Sequence, residues 1–390
     1  MKRLAIITTH PIQYNAPLFK LLTQRNNITI KVFYTWGKSV LENKYDPGFK
    51  KNIEWDIPLL DGYEYTFVEN VATDKGSHHF KGIDNPTIVK EIGEWNADAL
   101  LVFGWSFKSH LKILRHFKSR KRILFRGDST LLDERKNFSL KKILRSFFLK
   151  WVYSYVDFAL YTGTANKLYY QKFGLADRQL KFAPHAIENA RFTSVKETDL
   201  RNQLGISQTD ILFLFAGKIE AKKNPSILLE AFIEINKPEI YLLVVGNGEM
   251  EKQLKQKVQS LQPALQKRII FKDFVNQMSM PTVYKSCDVF MLTSQGPGET
   301  WGLSVNEAMA CGKPVLVSDK CGCAADLVNN GVNGYIFQSG NKEDLKKKML
   351  LITANKNKLN EMGKQSLNII NEWNFDKVAT AIEEAVQGVN

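Results

Sequence analysis

No stretch of this chain holds about 18 uncharged apolar residues in a row, the least a membrane-spanning helix needs, so no such helix is expected. The start, MKRLAIITTHPIQ, has the basic opening of a signal peptide. Its apolar run is too short, however, and leads into Thr-Thr-His-Pro, so it reads as a first buried strand. Cysteine is scarce, with four residues, three of them at Cys311, Cys321 and Cys323. No second Cys/His pair completes a metal site, and so few cysteines build no disulfide framework, so free thiols in a reducing cytosol are expected. Asp-x-Asp, a pattern that holds metal ions, does not occur. No nucleic-acid recognition motif accompanies the basic residues, so nucleic acid is not an expected partner.

What is present is ordinary in amount and uneven in placement. Apolar residues make up 44% and charged residues 24% of 390 residues, which fits a globular protein too long for one core. The formal charge is +14, and residues 1–190 carry 30 Lys/Arg against 18 Asp/Glu. That half holds the positive field, so its partners are expected to be anionic. The excess is densest over 108–150, with 14 basic residues against 3 acidic ones. Within it, KKILRSFFLKWVYSYV places Ile143, Leu144, Phe147, Phe148, Trp151, Val152 and Tyr155 at helical spacing among lysines. Such a helix suits an anionic membrane surface. It suits equally a helix packed on its own domain with lysines reaching outward.

The chain alternates strand and helix: Leu4–Thr9, Pro17–Arg25 and Ile28–Thr35 begin a parallel doubly wound sheet. Its first turn carries His10, Gln13, Tyr14 and Asn15 at a strand's carboxyl end, where open sheets place ligands. From Trp36 to His79 the pattern breaks, and an irregular excursion is expected. The neighbours His78 and His79 read as solvated. Ala99–Phe103 ends at Gly104, and Arg122–Phe125 ends at Arg126-Gly127-Asp128. Asp128 is read as either a ligand for a sugar or acceptor hydroxyl or a cap on the next helix. Later, Ile211–Ala216 is followed by Gly217, Lys218, Lys222 and Lys223, and Ile240–Val245 by Gly246-Asn247-Gly248. Two cations between strand and helix can neutralise a diphosphate without a metal ion.

The most informative stretch is Ser294–Val317, SQGPGETWGLSVNEAMACGKPVLV. It starts as a turn, opens a helix near Gly302 and closes it on Gly312 with Pro314 beyond. A helix N-terminus attracts phosphate. Glu299 before it and Glu307 inside it can accept hydrogen bonds from sugar hydroxyls on either side of a diphosphate.

This segment resembles the signature of retaining GT-B glycosyltransferases of the paired-glutamate type, the group that includes sucrose synthases and bacterial mannosyltransferases. The matching residues are Glu299, Trp301, Gly302, Leu303, Glu307, Ala308, Met309, Ala310, Gly312, Pro314 and Val315. The resemblance is strong over 180–386 and only architectural over 1–180. It implies an α/β fold of two Rossmann-like doubly wound domains facing a cleft, 1–190 joined by a last helix at 375–386, and 191–374. It further implies metal-independent transfer, with retention, from a UDP-sugar or GDP-sugar to a hydroxyl of a glycan or lipid-linked acceptor. The expected setting is bacterial surface polysaccharide or glycolipid synthesis at the cytoplasmic membrane face, with no cofactor. Glu307 would bind the donor ribose, and the amides of Thr300, Trp301, Gly302 and Leu303 the diphosphate. Lys218 and Lys223 would hold the diphosphate as well, and Glu299 the transferred sugar, with Asp128 a further catalytic candidate. Gly217, Gly246 and Val275 would line the donor, the last beside the base. His10, Gln13, Tyr14, Gly104 and Arg126 would face the acceptor. The chain departs from the family in four places, one of them His185 where Asn is common. Glycines usual in the first loop are missing, Lys218 replaces an arginine, and Arg126-Gly127-Asp128 stands where relatives place a histidine. The alternatives are a nucleotide-sugar binding protein without chemistry, or another GT-B enzyme such as an epimerase.

Overall fold

The computed structural model describes residues 1–41, 45–134, 139–194 and 199–388. Four residues of the basic 108–156 region, 135–138, lie outside that description. The chain divides into two compact units. One is Met1–Lys44, Pro58–His185 and Phe375–Asn390; the other is Tyr45–Ile57 and Ala186–Asn374.

The first unit is built on seven parallel strands. In spatial order they are Tyr65–Phe67, Thr29–Tyr34, Arg3–Thr8, Ala99–Phe103, Arg122–Arg126, Phe158–Tyr161 and Leu180–Phe182. Leu4, Ala5, Ile6 and Ile7 are all fully buried. An unbroken apolar run of this kind marks a strand covered on both faces, which parallel sheets require. Two strands were not legible in the sequence. Tyr65–Phe67 lies inside the stretch expected to be irregular, and at three residues it is too short to show a period. Leu180–Phe182 lies at the start of a stretch that reads as a junction. The helix Phe375–Gln387 closes this unit. Arg25 reaches its Glu383 at 2.9 Å and its Asp376 at 3.1 Å, and Arg122 donates to the carbonyls of Ala385 and Val386.

The second unit has six parallel strands in the order Ile269–Lys272, Ile240–Val245, Ile211–Ala216, Val289–Leu292, Val315–Ser318 and Gly334–Phe337. Counted along the chain this is 3-2-1-4-5-6, the Rossmann order, whose crevice lies where the order reverses. All six residues of Ile211–Ala216 are buried, as its central place demands. The helix Pro225–Ile235 starts with Pro at its first position, and the Asn224 side chain accepts from the Ile227 amide. Fixed proline φ and a side-chain acceptor both favour that start.

Among the described residues, no helix is long and apolar enough to cross a membrane. The helix Leu140–Tyr153 buries one edge on its own unit and leaves part of its apolar stripe exposed. Only Leu149, Val152 and Tyr153 are buried, whereas Leu144 and Phe147 are 62% and 69% exposed and Phe148 and Trp151 are exposed beside them. Trp105 packs edge-on to Phe148, and the Arg115 guanidinium lies 5.7 Å from the Trp151 ring. The helix therefore presents an uncovered aromatic stripe edged with cations.

Candidate active site

In the second unit the strand order reverses between Ile211–Ala216 and Val289–Leu292. The loops leaving their carboxyl ends are 217–224 and 293–302, which carry most of the donor residues expected from the sequence. The two loops are joined directly. The Gln295 amide donates to the Lys222 carbonyl at 2.8 Å, and Thr293 Oγ1 donates to the Lys223 carbonyl at 2.9 Å. Asn224 Nδ2 donates to Gln295 Oε1 at 3.0 Å.

This framework turns Lys223 inward and Lys222 outward. Lys222 pairs at 3.4 Å with Glu220 on its own loop. Lys223 Nζ donates to Glu299 Oε2 at 2.7 Å, and Ser294 Oγ donates to the same oxygen at 2.9 Å. Burial alone would raise the Glu299 carboxyl, but the Lys223 ammonium and the Ser294 hydroxyl hold it below the ordinary glutamate value. Gly217 and Gly246 both have positive φ. A Cβ on Gly246 would stand 2.1 Å from the Gly217 carbonyl oxygen, so only glycine lets these two loops touch.

The helix after the second loop is Leu303–Ala310, with Gly302 as its N-cap at φ +100°. First-turn amides of a helix lack intrahelical acceptors and carry the positive dipole end. Glu307 sits inside this helix, buried, and accepts the Tyr284 hydroxyl at 2.7 Å. Trp301 is buried too. Its indole donates to Asn306 Oδ1 at 2.8 Å and packs 5.1 Å from Trp373, so its ring serves the core and only its backbone lines the loop. Val275, half-buried, lies in the loop after Ile269–Lys272. Asn247 fixes that loop: its side chain accepts from the Phe274 amide at 2.9 Å and donates to Asp273 at 3.1 Å. The sequence reading treated Asn247 only as a turn residue. Its tying role depends on partners 26 and 27 residues away. Lys218 is held by Asp46, at 2.9 Å to Oδ1, a partner no local pattern reveals.

The remaining candidates stand on the first unit. His10 contacts Thr9 Oγ1 at 2.9 Å and the Trp36 ring edge-on, and burial lowers its pKa. Gln13 and Tyr14 are half-buried in the same loop. Gly104, at φ +72°, accepts from His110 Nδ1 at 3.1 Å through its carbonyl. Arg126 is buried. Its terminal nitrogens donate to the carbonyls of Ala183 at 2.8 Å and Pro184 at 3.0 Å, and burial lowers its pKa to about 10. Those contacts spend it on its own backbone rather than leaving it to face a ligand. Asp128 is exposed, with its charge felt by Arg126 and by His185. Burial first, and Arg126 second, lower the His185 pKa to about 4.

His78 and His79 are not simply solvated. Both Nε2 atoms lie at Asp74 Oδ2, at 3.1 and 3.0 Å. The trio is a surface cluster in which the carboxylate serves both imidazoles. The four cysteines are free and buried, and burial pushes Cys287, Cys311 and Cys321 up to about 12.

Residues 196–368 match the family described as Glycosyl transferases group 1. Mannosylfructose-phosphate synthase of Agrobacterium fabrum is 27% identical over 188 residues, covering 45% of this chain and 40% of that protein. The chain spans only about two-fifths of the length of the curated relatives it matches, 37%, 38% and 40% for three of them. Sucrose-phosphate synthase from Thermosynechococcus elongatus superposes over 100% of this chain and 99% of its own, with a TM-score of 0.73 at 16% identity. Anabaena HepE in complex with UDP covers 100% of both chains, with a TM-score of 0.72 at 18% identity. At such identities the likeness shows the fold, which is that of the GT-B glycosyltransferases. Residues 196–368, which carry the paired glutamates at the reversal of the second sheet, are therefore the part of this chain that matches the glycosyltransferase group 1 family.

Proposed function

We propose that the protein transfers a sugar from a nucleoside-diphosphate sugar to a hydroxyl of a glycan or lipid-linked acceptor, with retention and without a metal ion. The observation that carries this reading is the buried Lys223–Glu299–Ser294 cluster at the reversal of the second sheet, next to the start of Leu303–Ala310. A cation and first-turn amides suit a diphosphate, and a carboxylate held ionised suits sugar hydroxyls. In this reading Lys218, Lys223 and the Thr300–Leu303 amides bind the diphosphate, and Glu307 binds the ribose. Glu299 accepts from hydroxyls of the transferred sugar. Gly217, Gly246 and Val275 line the rest, with Val275 toward the base.

In the reaction the bond between the anomeric carbon and the diphosphate oxygen breaks, and the leaving oxygen keeps the electron pair. The cations and amides neutralise that charge as it develops. The acceptor oxygen attacks the same face of the sugar, and its proton passes to a phosphate oxygen. HepE was solved with UDP, which makes a uridine donor the first to try, and a guanosine donor the second.

The first unit supplies the acceptor side, with His10, Gln13, Tyr14, Gly104 and Asp128 as its candidates. The exposed stripe of Leu140–Tyr153 lies against an anionic bilayer, which suits a lipid-linked acceptor and a place at the inner membrane face. Thermal unfolding against UDP, GDP and their sugars tests the donor assignment, because a ligand of the folded state raises Tm. A selective rise with one nucleotide is expected. No rise with any of them overturns the reading.

A further inference from the structure

The second unit contains one piece of chain from far upstream. Tyr45–Ile57 belongs to it although the residues on either side belong to the first. Tyr45–Asp46 pairs antiparallel with Lys51–Asn52, and the turn between them is closed by Asp46, whose Oδ1 accepts from the amides of Gly48 at 2.8 Å and Phe49 at 3.0 Å. The segment is fastened along the Asp273–Met278 loop, the loop that carries Val275. Lys51 pairs with Asp273 at 2.8 Å, Asn276 donates to the Glu54 carbonyl at 2.6 Å, and the Met278 amide donates to Asp56 at 3.1 Å. Phe49 and Trp55 pack edge-on against Phe274, at 4.9 and 6.3 Å.

Its tip reaches Lys218. The two Asp46 oxygens lie 2.9 and 3.1 Å from Lys218 Nζ, which also sits 5.2 Å from the Phe49 ring centre. The Lys218 stem runs against the Gly48 backbone so closely that a Cβ there would meet it at 2.5 Å. Burial alone would raise the Asp46 carboxyl, but Lys218 and the two turn amides hold it below the ordinary aspartate value.

We infer that Tyr45–Ile57 is a donor-exchanged strap, and that Asp46 occupies on Lys218 the position a donor phosphate oxygen takes. This rests on the reading of Lys218 as a diphosphate cation. A carboxylate and a phosphate oxygen approach an ammonium with the same charge-assisted geometry, near 2.7–2.9 Å. Both cannot share the spot, because a diphosphate beside an ionised carboxylate is repelled at short range. Asp46 and Lys218 are only partly buried, so water can take over the carboxylate once it lets go. The anchors along 273–278 are separate from that contact and keep the strap on the unit while its tip moves. The strap thus sets donor affinity through competition, and it lies over the loop beside the base.

The test is calorimetric titration of the purified full chain with UDP, GDP and inorganic pyrophosphate, for wild type, Asp46→Asn, Asp56→Asn, Lys218→Ala and the Asp46→Asn/Lys218→Ala pair. Asp46→Asn is expected to bind the accepted diphosphate at least threefold more tightly than wild type. That gain is expected to vanish in the Lys218→Ala background, and Asp56→Asn, the same charge change elsewhere on the strap, is expected to give none. In wild type, the Gly48 and Phe49 amides are expected to exchange hydrogen faster when diphosphate saturates the protein. Equal or weaker binding by Asp46→Asn, a matching gain from Asp56→Asn, or unchanged exchange at 48 and 49 overturns the strap while leaving the donor site standing. Failure of every protein to bind any of the three ligands overturns the donor reading, and the strap with it.

Discussion

Glu299 accepts the Lys223 ammonium at 2.7 Å through the same Oε2 that takes the Ser294 hydroxyl. The carboxylate is 9% exposed, so it remains charged there only because these partners replace its hydration. Glu299→Gln keeps the shape and the Ser294 contact but loses the charge. A charge-assisted hydrogen bond to a sugar hydroxyl contributes about 1.5–3 kcal/mol. The variant should therefore lose roughly 10- to 150-fold in kcat/KM for transfer, while nucleoside diphosphate binding changes little. Steady-state rates beside calorimetry check this, and an unchanged transfer rate sinks the role of Glu299.

The inward turn of Lys223 and the outward turn of Lys222 separate two neighbouring lysines by function. Lys223→Ala should weaken diphosphate binding by about 1.5–3 kcal/mol, the range for a lost charge-assisted bond. Lys222→Ala removes a half-buried pair with Glu220 on its own loop, leaves the Lys223–Glu299 contact in place, and should leave affinity within about threefold. Equal effects would mean that the loop acts only through its total charge.

Much of this site could be read before any coordinates, and the reason is local. Leu4–Ile7 and Ile211–Ala216 are continuous apolar runs, and each ends in a polar loop that open sheets devote to ligands. The glutamate pair announces itself through the helix signals between Gly302 and Gly312. What escaped was carried by distant partners. Asp46 and Lys218 are 172 residues apart, and Arg126 meets the Ala183 and Pro184 carbonyls across 57 and 58 residues. Nothing near residue 46 signals which unit its segment joins. Period alone showed that Leu140–Tyr153 has an apolar stripe, but only packing shows that the stripe is uncovered.

Tyr284 and Glu307 make a second buried contact whose loss should split binding from chemistry. Tyr284→Phe removes the hydroxyl that donates to Glu307 Oε2, a loss of about 1.5–3 kcal/mol for a hydrogen bond to a charged group. Stability measured by urea unfolding should fall by that order. If Glu307 holds the ribose, donor KM should rise with kcat little changed. A fall in kcat alone would place Glu307 in a different role.

His110 offers a pH test of the first unit. It is buried, with Nδ1 at 3.0 Å donating to the Phe103 carbonyl and Nε2 at 2.9 Å from the Thr35 hydroxyl. Burial lowers its pKa from 6.5 to about 4. Between those values the unfolded chain binds the proton and the folded one does not, so stability rises with pH across that window. Acidifying from pH 6.5 to pH 4 should therefore cost this group roughly 3 kcal/mol at most. Below about pH 4 the loss should stop growing. His110→Asn should flatten that part of the curve of unfolding free energy against pH. A slope identical to wild type would show that the imidazole is not kept neutral by the fold.

The exposed stripe of Leu140–Tyr153 makes the membrane reading measurable. Burying one phenylalanine side chain in a bilayer interface contributes about 1.5–3 kcal/mol, and each nearby lysine about 1 kcal/mol at an anionic surface. Phe147→Glu removes the first and adds repulsion, so it should lower binding to phosphatidylglycerol vesicles roughly tenfold or more. Lys141→Ala with Lys150→Ala should weaken binding to those vesicles and leave it unaffected on pure phosphatidylcholine. Phe147 is 69% exposed and lies outside the buried cluster of its unit, so Tm should move little in either variant, and lost binding cannot be blamed on unfolding. Vesicle flotation at two salt concentrations reads both arms, because screening shortens the reach of the lysines and spares the aromatic contact. Binding that ignores Phe147→Glu, or that never occurs on anionic vesicles, would leave the stripe to a protein partner and remove the membrane from the acceptor assignment.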